Sequence, residues 1–435
     1  MAIKVSGVGD AMLLCPLPAD YSLKEITEYI KKSDVSIVNL EMVLTQKNVF
    51  ASTFCGGQWI HSEQENLDGL QKFGFDLYAC ANNHSMDFSF DGLIQTCELL
   101  EEKGIPYAGI GRSLDEASKP VYFETVDEIG NKKVVAMISV TTTFIDAARA
   151  GNGNDFFVER PGVNPLRHKE VYYVTEEQMQ VLKQVASDTS INGERDNARR
   201  IGSLPPEKEN AFNFGGIFFE VSEEKGKLTT CDVRDKSRIL KEIEQAKEQA
   251  DYVFVVAHSH QIKHEAYYEP DYFFEEFCHS CIDAGASCII GGGTHQLKPI
   301  EMYKGRPIFY SLGNFIFQNH LVSYLPDDFC DKYGYSRELK VNECMAIKSK
   351  NGTIGLETDI NNYRSVIPMI TFEDECVKEI TLLPITLNFE HQKLKGLPRI
   401  ASCEETKEIF GYLQAVSESY GTEFRMEEGI IKVIM

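Results

Sequence analysis

Four largely apolar runs, at residues 5–8, 35–38, 77–81 and 252–257, each lead into a short cluster of ligand-type side chains: Gly9-Asp10, Asn39-Leu40-Glu41, Asn82-Asn83-His84 and His258-Ser259-His260. A short apolar run bounded by polar residues reads as a strand buried on both faces. Carboxylates, carboxamides and imidazoles are therefore expected at strand ends, the edge of a parallel sheet where ligands bind. A fifth cluster, Thr294-His295, follows Gly291-Gly292-Gly293. Oxygen and imidazole donors gathered at one edge suit zinc, manganese or iron better than a metal that prefers thiolates. The pattern predicts a metal centre.

Between these runs, helices are expected at 23–32, 63–73 and 92–103, the last stopped by Gly104, and again at 236–250 and 271–284. Strands interleaved with helices of this length indicate parallel β-α-β units and an α/β fold. The rhythm breaks between about 147 and 227, where Gly/Asn-rich 150–155, Arg160-Pro161-Gly162 and the polar run 187–210 surround one helix at 175–186 and a hairpin near 214–220. This stretch reads as an insertion packed over or beside the site. Beyond Arg306, strands are expected at 308–310 and within 370–385, and a closing helix at 404–419.

With 435 residues and 43% hydrophobic content, the chain can bury one sizeable core, read as a single domain over 1–435 that carries the insertion. Its net charge of −22 argues against nucleic acid and anionic membranes as partners, since both need a basic footprint. No apolar stretch reaches the roughly 18 to 20 residues of a membrane span, and no cleavable leader is evident, so the expected address is cytoplasmic. The twelve cysteines are scattered and read as reduced core residues. Cys278-His279-Ser280-Cys281 has a redox-like spacing but no strand context or second pair to support it.

Together, Gly9-Asp10, Asn39-Leu40-Glu41, Ala81-Asn82-Asn83-His84-Ser85-Met86-Asp87, Gly109-Ile110-Gly111-Arg112, and Pro299-Ile300-Glu301 through Tyr310-Ser311-Leu312-Gly313-Asn314-Phe315 resemble the CapA family. That family is named for capsule and poly-γ-glutamate synthesis and groups with metallophosphoesterase-like proteins. The likeness extends to Gly56-Gly57-Gln58-Trp59-Ile60, to the segment from Arg160 to Arg167, and to Gly421-Thr422-Glu423-Phe424. It implies a layered metallophosphoesterase-like α/β core and hydrolysis of a phosphoester or amide-type bond with one or two divalent ions. Asp10 and Glu41 would be carboxylate ligands with Glu41 as the bridge, Asn83 an amide ligand, and His258 and His295 imidazole ligands. Such ions activate water and neutralise charge on the group attacked, while His84 would protonate the leaving group.

The chain departs from this resemblance at one point. Relatives commonly have a further histidine two residues before the position of His295, where this chain has Gly293. His260 could take its place, because residues two apart on an extended strand share a face with each other, here with His258. Outside the ligands, Trp59 would either wall the pocket or anchor its loop. Arg160 and Arg167 would bind an anionic group of a small or polymeric substrate, Asn314 would line the rim, and Asp87 would orient His84. The competing reading is a non-catalytic accessory protein for capsule or polyglutamate synthesis.

Overall fold

The computed structural model describes residues 2–46, 48–208 and 210–435. Side chains that alternate along each buried strand enter different cores. In strand Tyr252–Ser259, Tyr252, Phe254 and Val256 join one cluster and Val253, Val255 and Ala257 another. In Val35–Leu40, Val35 and Ile37 share the first of these clusters, while Val38 and Leu40 pack against helices. Strands apolar on both faces must be covered on both faces, and here two sheets cover each other.

The first sheet has ten strands. Ala2–Met12 lies parallel to Val35–Leu40, which is parallel to Leu77–Ala79 and then Tyr107–Ala108. On its other side Ala2–Met12 forks: its start pairs antiparallel with Arg364–Glu373, and its end pairs parallel with Asn314–Phe317. Cys376–Thr386 and the C-terminal strands Phe424–Glu427 and Ile430–Val433 extend this side. The second sheet runs Ile300–Tyr303, Arg306–Phe309, Cys288–Gly293, Tyr252–Ser259, Lys132–Thr141, Val121–Val126, its four inner strands parallel. Helices Lys24–Ile30, Gln64–Gln71 and Ser89–Glu102 back the first sheet, and Val233–Gln249 and Tyr272–Asp283 the second. The protein is thus a layered α/β structure. The arrangement differs from a single open sheet because antiparallel strands from the C-terminal third complete the first sheet.

Residues 168–231 build a separate four-stranded sheet of Ala211–Phe214, Ile217–Val221, His168–Val174 and Gly226–Cys231, with helix Glu176–Thr189 beside it. The expected hairpin turns at Gly215-Gly216. The polar run 187–210 is not structureless, since it holds helix Gly193–Arg200, which buries none of its residues. A helix without an apolar stripe has no periodic signal; Glu194 and Asp196 at its start and Arg199 and Arg200 at its end favour it through the helix dipole. This subdomain abuts helix Tyr272–Asp283: Lys227 Nζ donates to Asp271 at 2.7 Å and to the Ile262 carbonyl at 2.9 Å, and His168 stacks on Phe273. Among the described residues, no helix is long and apolar enough to cross a membrane.

Candidate metal centre

The parallel strands of both sheets end on one side, and their terminal polar clusters meet there. Asp10, Glu41, His258 and His295 are all at least 95% buried. Asp10 accepts from the Gly293 N–H at 2.8 Å and from Asn39 Nδ2 at 2.7 Å. Asn39 Nδ2 also lies 3.2 Å from His258 Nδ1. His258 stands 3.6 Å from Asp10 and 3.5 Å from Glu41, and His295 3.8 Å and 3.9 Å from the same two carboxylates. Asn83 Oδ1 lies 2.6 Å and His260 Nε2 3.1 Å from His258 Nε2. Two ligand groups result, Glu41 with His258 and His260, and Asp10 with Glu41 and His295; within each, the donor atoms lie within 4.8 Å of one another. Glu41 belongs to both.

Close backbone approach makes this packing feasible. A Cβ at Gly292 would lie 2.4 Å from Asp10 Oδ1, so only glycine leaves room for the carboxylate. Gly293 has φ of 111°, and a Cβ there would lie 2.7 Å from the Ser259 carbonyl. A histidine at 293 does not fit this backbone, and His260 enters from the neighbouring strand instead. His295 itself adopts φ of 61°, a left-handed conformation uncommon for residues with a side chain and often found where function holds it in place.

The electrostatics indicate what the cluster can hold. Both oxygens of Glu41 are buried without a hydrogen-bond partner among the described residues. Burial, with Asp10 and Asp87 nearby, pushes its carboxyl well above the usual range. Burial alone would raise Asp10 too, but the hydrogen bond and charge of His258, with His295 and Asn39, hold it below the usual range. Burial, reinforced by the neighbouring His258 and His295, drives His260 well below its ordinary value; burial also lowers His295, against the pull of Asp10. Imidazoles whose protonation burial disfavours, those of His260 and His295, beside a carboxyl with no hydrogen-bond partner among the described residues form a donor set suited to a divalent cation. The residues fit a metal.

His84 stands beside this set on the loop that carries Asn83. Its Nδ1 lies 2.7 Å from Asp87 Oδ2, and Asp87 also accepts the N–H groups of Gly56 at 2.9 Å and Ile60 at 2.8 Å. Asp87 thus fixes the ring that sequence reasoning assigned to it. Asn83 Nδ2 donates to the Gly56 carbonyl at 2.7 Å, so its oxygen is the atom turned toward the centre. Trp59 is buried among Val43, Phe88 and Phe329 and donates to the Ser52 carbonyl at 2.8 Å. It anchors the loop that clamps Asp87 and Asn83, and does not wall a pocket.

Three further expectations are corrected. Arg160 is exposed and donates through Nε to the Arg149 carbonyl at 2.9 Å, bracing its own hairpin. Arg167 forms a two-pronged ion pair with Asp235, at 2.6 and 2.8 Å. Among the described residues neither guanidinium pairs with a residue of the centre, because both are spent on local structure. Asn314 is wholly buried; its oxygen lies 2.9 Å from His295 Nδ1 and its nitrogen donates to the His295 and Asn362 carbonyls, so it orients the His295 ring and is not on the rim. Cys278 and Cys281 face the core of their helix as free thiols pushed well up by burial, unsuited to redox work. Asn39 went unassigned, although its spacing from Glu41 across one residue was the available signal.

The chain is 29% identical to an uncharacterized protein of Sinorhizobium fredii over 98% of this chain and 92% of that one. It is 26% identical to the PGA biosynthesis protein CapA of Bacillus subtilis, over 69% of this chain and 57% of that protein. It is 23% identical to a probable polyglutamine synthesis accessory protein of Mycobacterium tuberculosis, over 69% of this chain and 61% of that protein. Residues 4–319 match the family described as bacterial capsule synthesis protein PGA_cap, a span that takes in every candidate ligand named above, and the chain belongs to that family.

Proposed function

We propose that this protein is a divalent-metal-dependent hydrolase of a phosphoester or amide-type bond in an anionic substrate, small or polymeric, within capsule or poly-γ-glutamate metabolism. The observation that carries this reading is Glu41, a fully buried carboxyl with no hydrogen-bond partner among the described residues, flanked by His258 and His295 and common to both ligand groups. Manganese, iron or zinc held by Asp10, Glu41, His258, His260 and His295 with Asn83 would supply Lewis acidity and offset negative charge at the group attacked. The chain itself supplies the proton: His84, held by Asp87, presents its other ring nitrogen to a leaving group. Asn83 and His260 keep some exposure, so substrate approaches from their side. The reading includes a cytoplasmic site of action, which twelve free thiols suit.

Metal analysis of protein purified without chelator, with hydrolysis assays on aryl phosphates and γ-glutamyl amides, tests this. Near-stoichiometric metal is expected, with turnover that His84→Ala lowers by about 10²- to 10⁴-fold while metal is retained. A second reading, a non-catalytic accessory protein, draws on the glycine at 293 and on the name of the mycobacterial relative. Clearly substoichiometric metal and no turnover on either substrate class would favour it.

A further inference from the structure

The hairpin between Arg149 and Val163 ends in three consecutive apolar residues that stand in solvent. Phe156 is 86% exposed, Phe157 71% and Val158 92%. Local hydrogen bonds hold the tip in one shape. Gly151 and Arg160 exchange backbone hydrogen bonds at 2.9 Å in both directions, and the Asn154 N–H donates to the Phe157 carbonyl at 2.9 Å. Asn154 Oδ1 accepts the N–H groups of Phe156 and Phe157 at 2.8 and 3.1 Å. Single exposed apolar side chains are ordinary, whereas a contiguous group at the end of an ordered hairpin marks a contact surface.

The same insertion carries a cleft of about 780 Å³, within the range that takes drug-sized groups. Val171, Leu204, Pro205, Phe212, Ile217 and Phe218 give it an apolar lining. Ile217 and Phe218 are 50% and 49% exposed, so this apolar surface is open to an incoming group. The charge of the cleft opposes that of the chain. Four of its lining residues are basic, Lys169, Arg195, Arg199 and Lys208, against three acidic, whereas the whole sequence has 66 acidic and 44 basic residues. Of the four, only Arg199 has a carboxylate partner among the described residues, with Glu207 at 2.5 Å and Asp196 at 3.0 Å. The hairpin tip has the complementary sign, because Asp155 and Glu159 flank its apolar residues.

We propose that a second copy of this chain seats its Phe156-Phe157-Val158 tip in this cleft, and that two copies do so reciprocally about a twofold axis. An apolar knob with acidic shoulders fits an apolar hole with basic groups in its lining, and the opposite charges set the orientation. Area argues for reciprocity. Two phenylalanines bury about 300–500 Å² and the cleft loses a similar area, so one contact gives about 600–1,000 Å², less than a stable interface needs. Two contacts give about 1,200–2,000 Å², the usual size. A bilayer suits the tip less well, because anionic headgroups repel Asp155, Glu159 and the net charge of −22, and neutral ones offer no unpaired cation to the two carboxylates.

Sedimentation equilibrium of the full chain from about 1 to 100 µM tests the proposal. A mass of two chains is expected at the upper end. The double variant Phe156→Ser with Phe157→Ser in the tip, and separately Phe218→Asp in the cleft, each confirmed folded by circular dichroism, should weaken association at least about 30-fold, the cost of losing one anchor of an interface. Val158→p-benzoylphenylalanine, irradiated in a mixture of isotopically labelled and unlabelled protein, should cross-link between copies into residues 168–220. The proposal is overturned if the parent stays monomeric to about 100 µM, if association runs past two chains, or if either folded variant associates as the parent does. Cross-links that fall elsewhere, or a tip that carries the monomer onto phosphatidylcholine vesicles, would overturn it equally.

Discussion

At the scale of single residues, Glu41 has opposite effects in the free and the occupied centre. Without a cation its carboxyl is buried, has no hydrogen-bond partner among the described residues and lies close to Asp10 and Asp87, so it opposes folding. With a cation it is the shared ligand. Glu41→Gln should therefore stabilise the chelator-treated protein by about 1–3 kcal/mol and lose that advantage when manganese is added, since binding then stabilises only the parent. Denaturant titration of both proteins, with EDTA and with manganese, measures the crossover; a variant no more stable than the parent in EDTA would remove the case for a cation. Residue identities at strand ends were legible because ligand types are chemically distinctive. The fates of Trp59, Arg160, Arg167 and Asn314 were not, because each depends on a partner remote in sequence or on a carbonyl whose position only the fold reveals.

At the scale of elements, the centre depends on how closely strand Cys288–Gly293 passes the end of Ala2–Met12. Gly292→Ala would bring a methyl group to 2.4 Å from Asp10 Oδ1 and must displace that carboxylate. The expected outcome is a folded protein whose metal content falls at least about tenfold, comparable to losing a residue that orients a ligand. Metal analysis and circular dichroism together check it, and full metal content in a folded Gly292→Ala protein would show that Asp10 is not held where the metal needs it. The strands that end at the polar clusters, and their flanking helices, could be read from the sequence to within a few residues, since burial on two faces leaves a continuous apolar signature, but the equally buried inner strand Lys132–Thr141 carries no such cluster at its end and went unread. Helix Gly193–Arg200 left none, because it buries nothing. The pairing of Arg364–Glu373 with Ala2–Met12 was equally hidden: long-range antiparallel pairing leaves no mark at either site.

Two forces act on the molecule as a whole. One is pH-dependent stability through Lys298, which is 1% exposed and whose ammonium has the Gln261 carbonyl at 3.3 Å. Burial pulls it from 10.5 down to about 7, against the opposing pull of Asp271 and Glu275. Below that pH both folded and unfolded chains carry the proton and the cost of burying it is felt in full. Between about 7 and 10.5 only the unfolded chain holds the proton, so this group makes stability rise with pH. Lys298→Met should remove that slope and be more stable than the parent at pH 6 by about 3–5 kcal/mol, an order-of-magnitude figure readable by urea denaturation at pH 6 and 9. Parallel pH profiles for the two proteins would contradict it.

The other force is the net charge of −22, which surrounds a centre proposed to attract anions. A small anionic substrate meets the local field of the site, whereas a long polyanion also meets the acidic surface over many Debye lengths. Poly-γ-glutamate should consequently bind more tightly at about 200 mM NaCl than at about 20 mM, because salt screens the repulsion more than the short-range contacts. This is the reverse of the usual dependence for a protein that neutralises a polyanion and releases its counterions. Fluorescence anisotropy of the labelled polymer across that range reads the sign directly. An affinity that falls with salt would mean that a local basic surface, and not the overall charge, governs how the polymer reaches this protein.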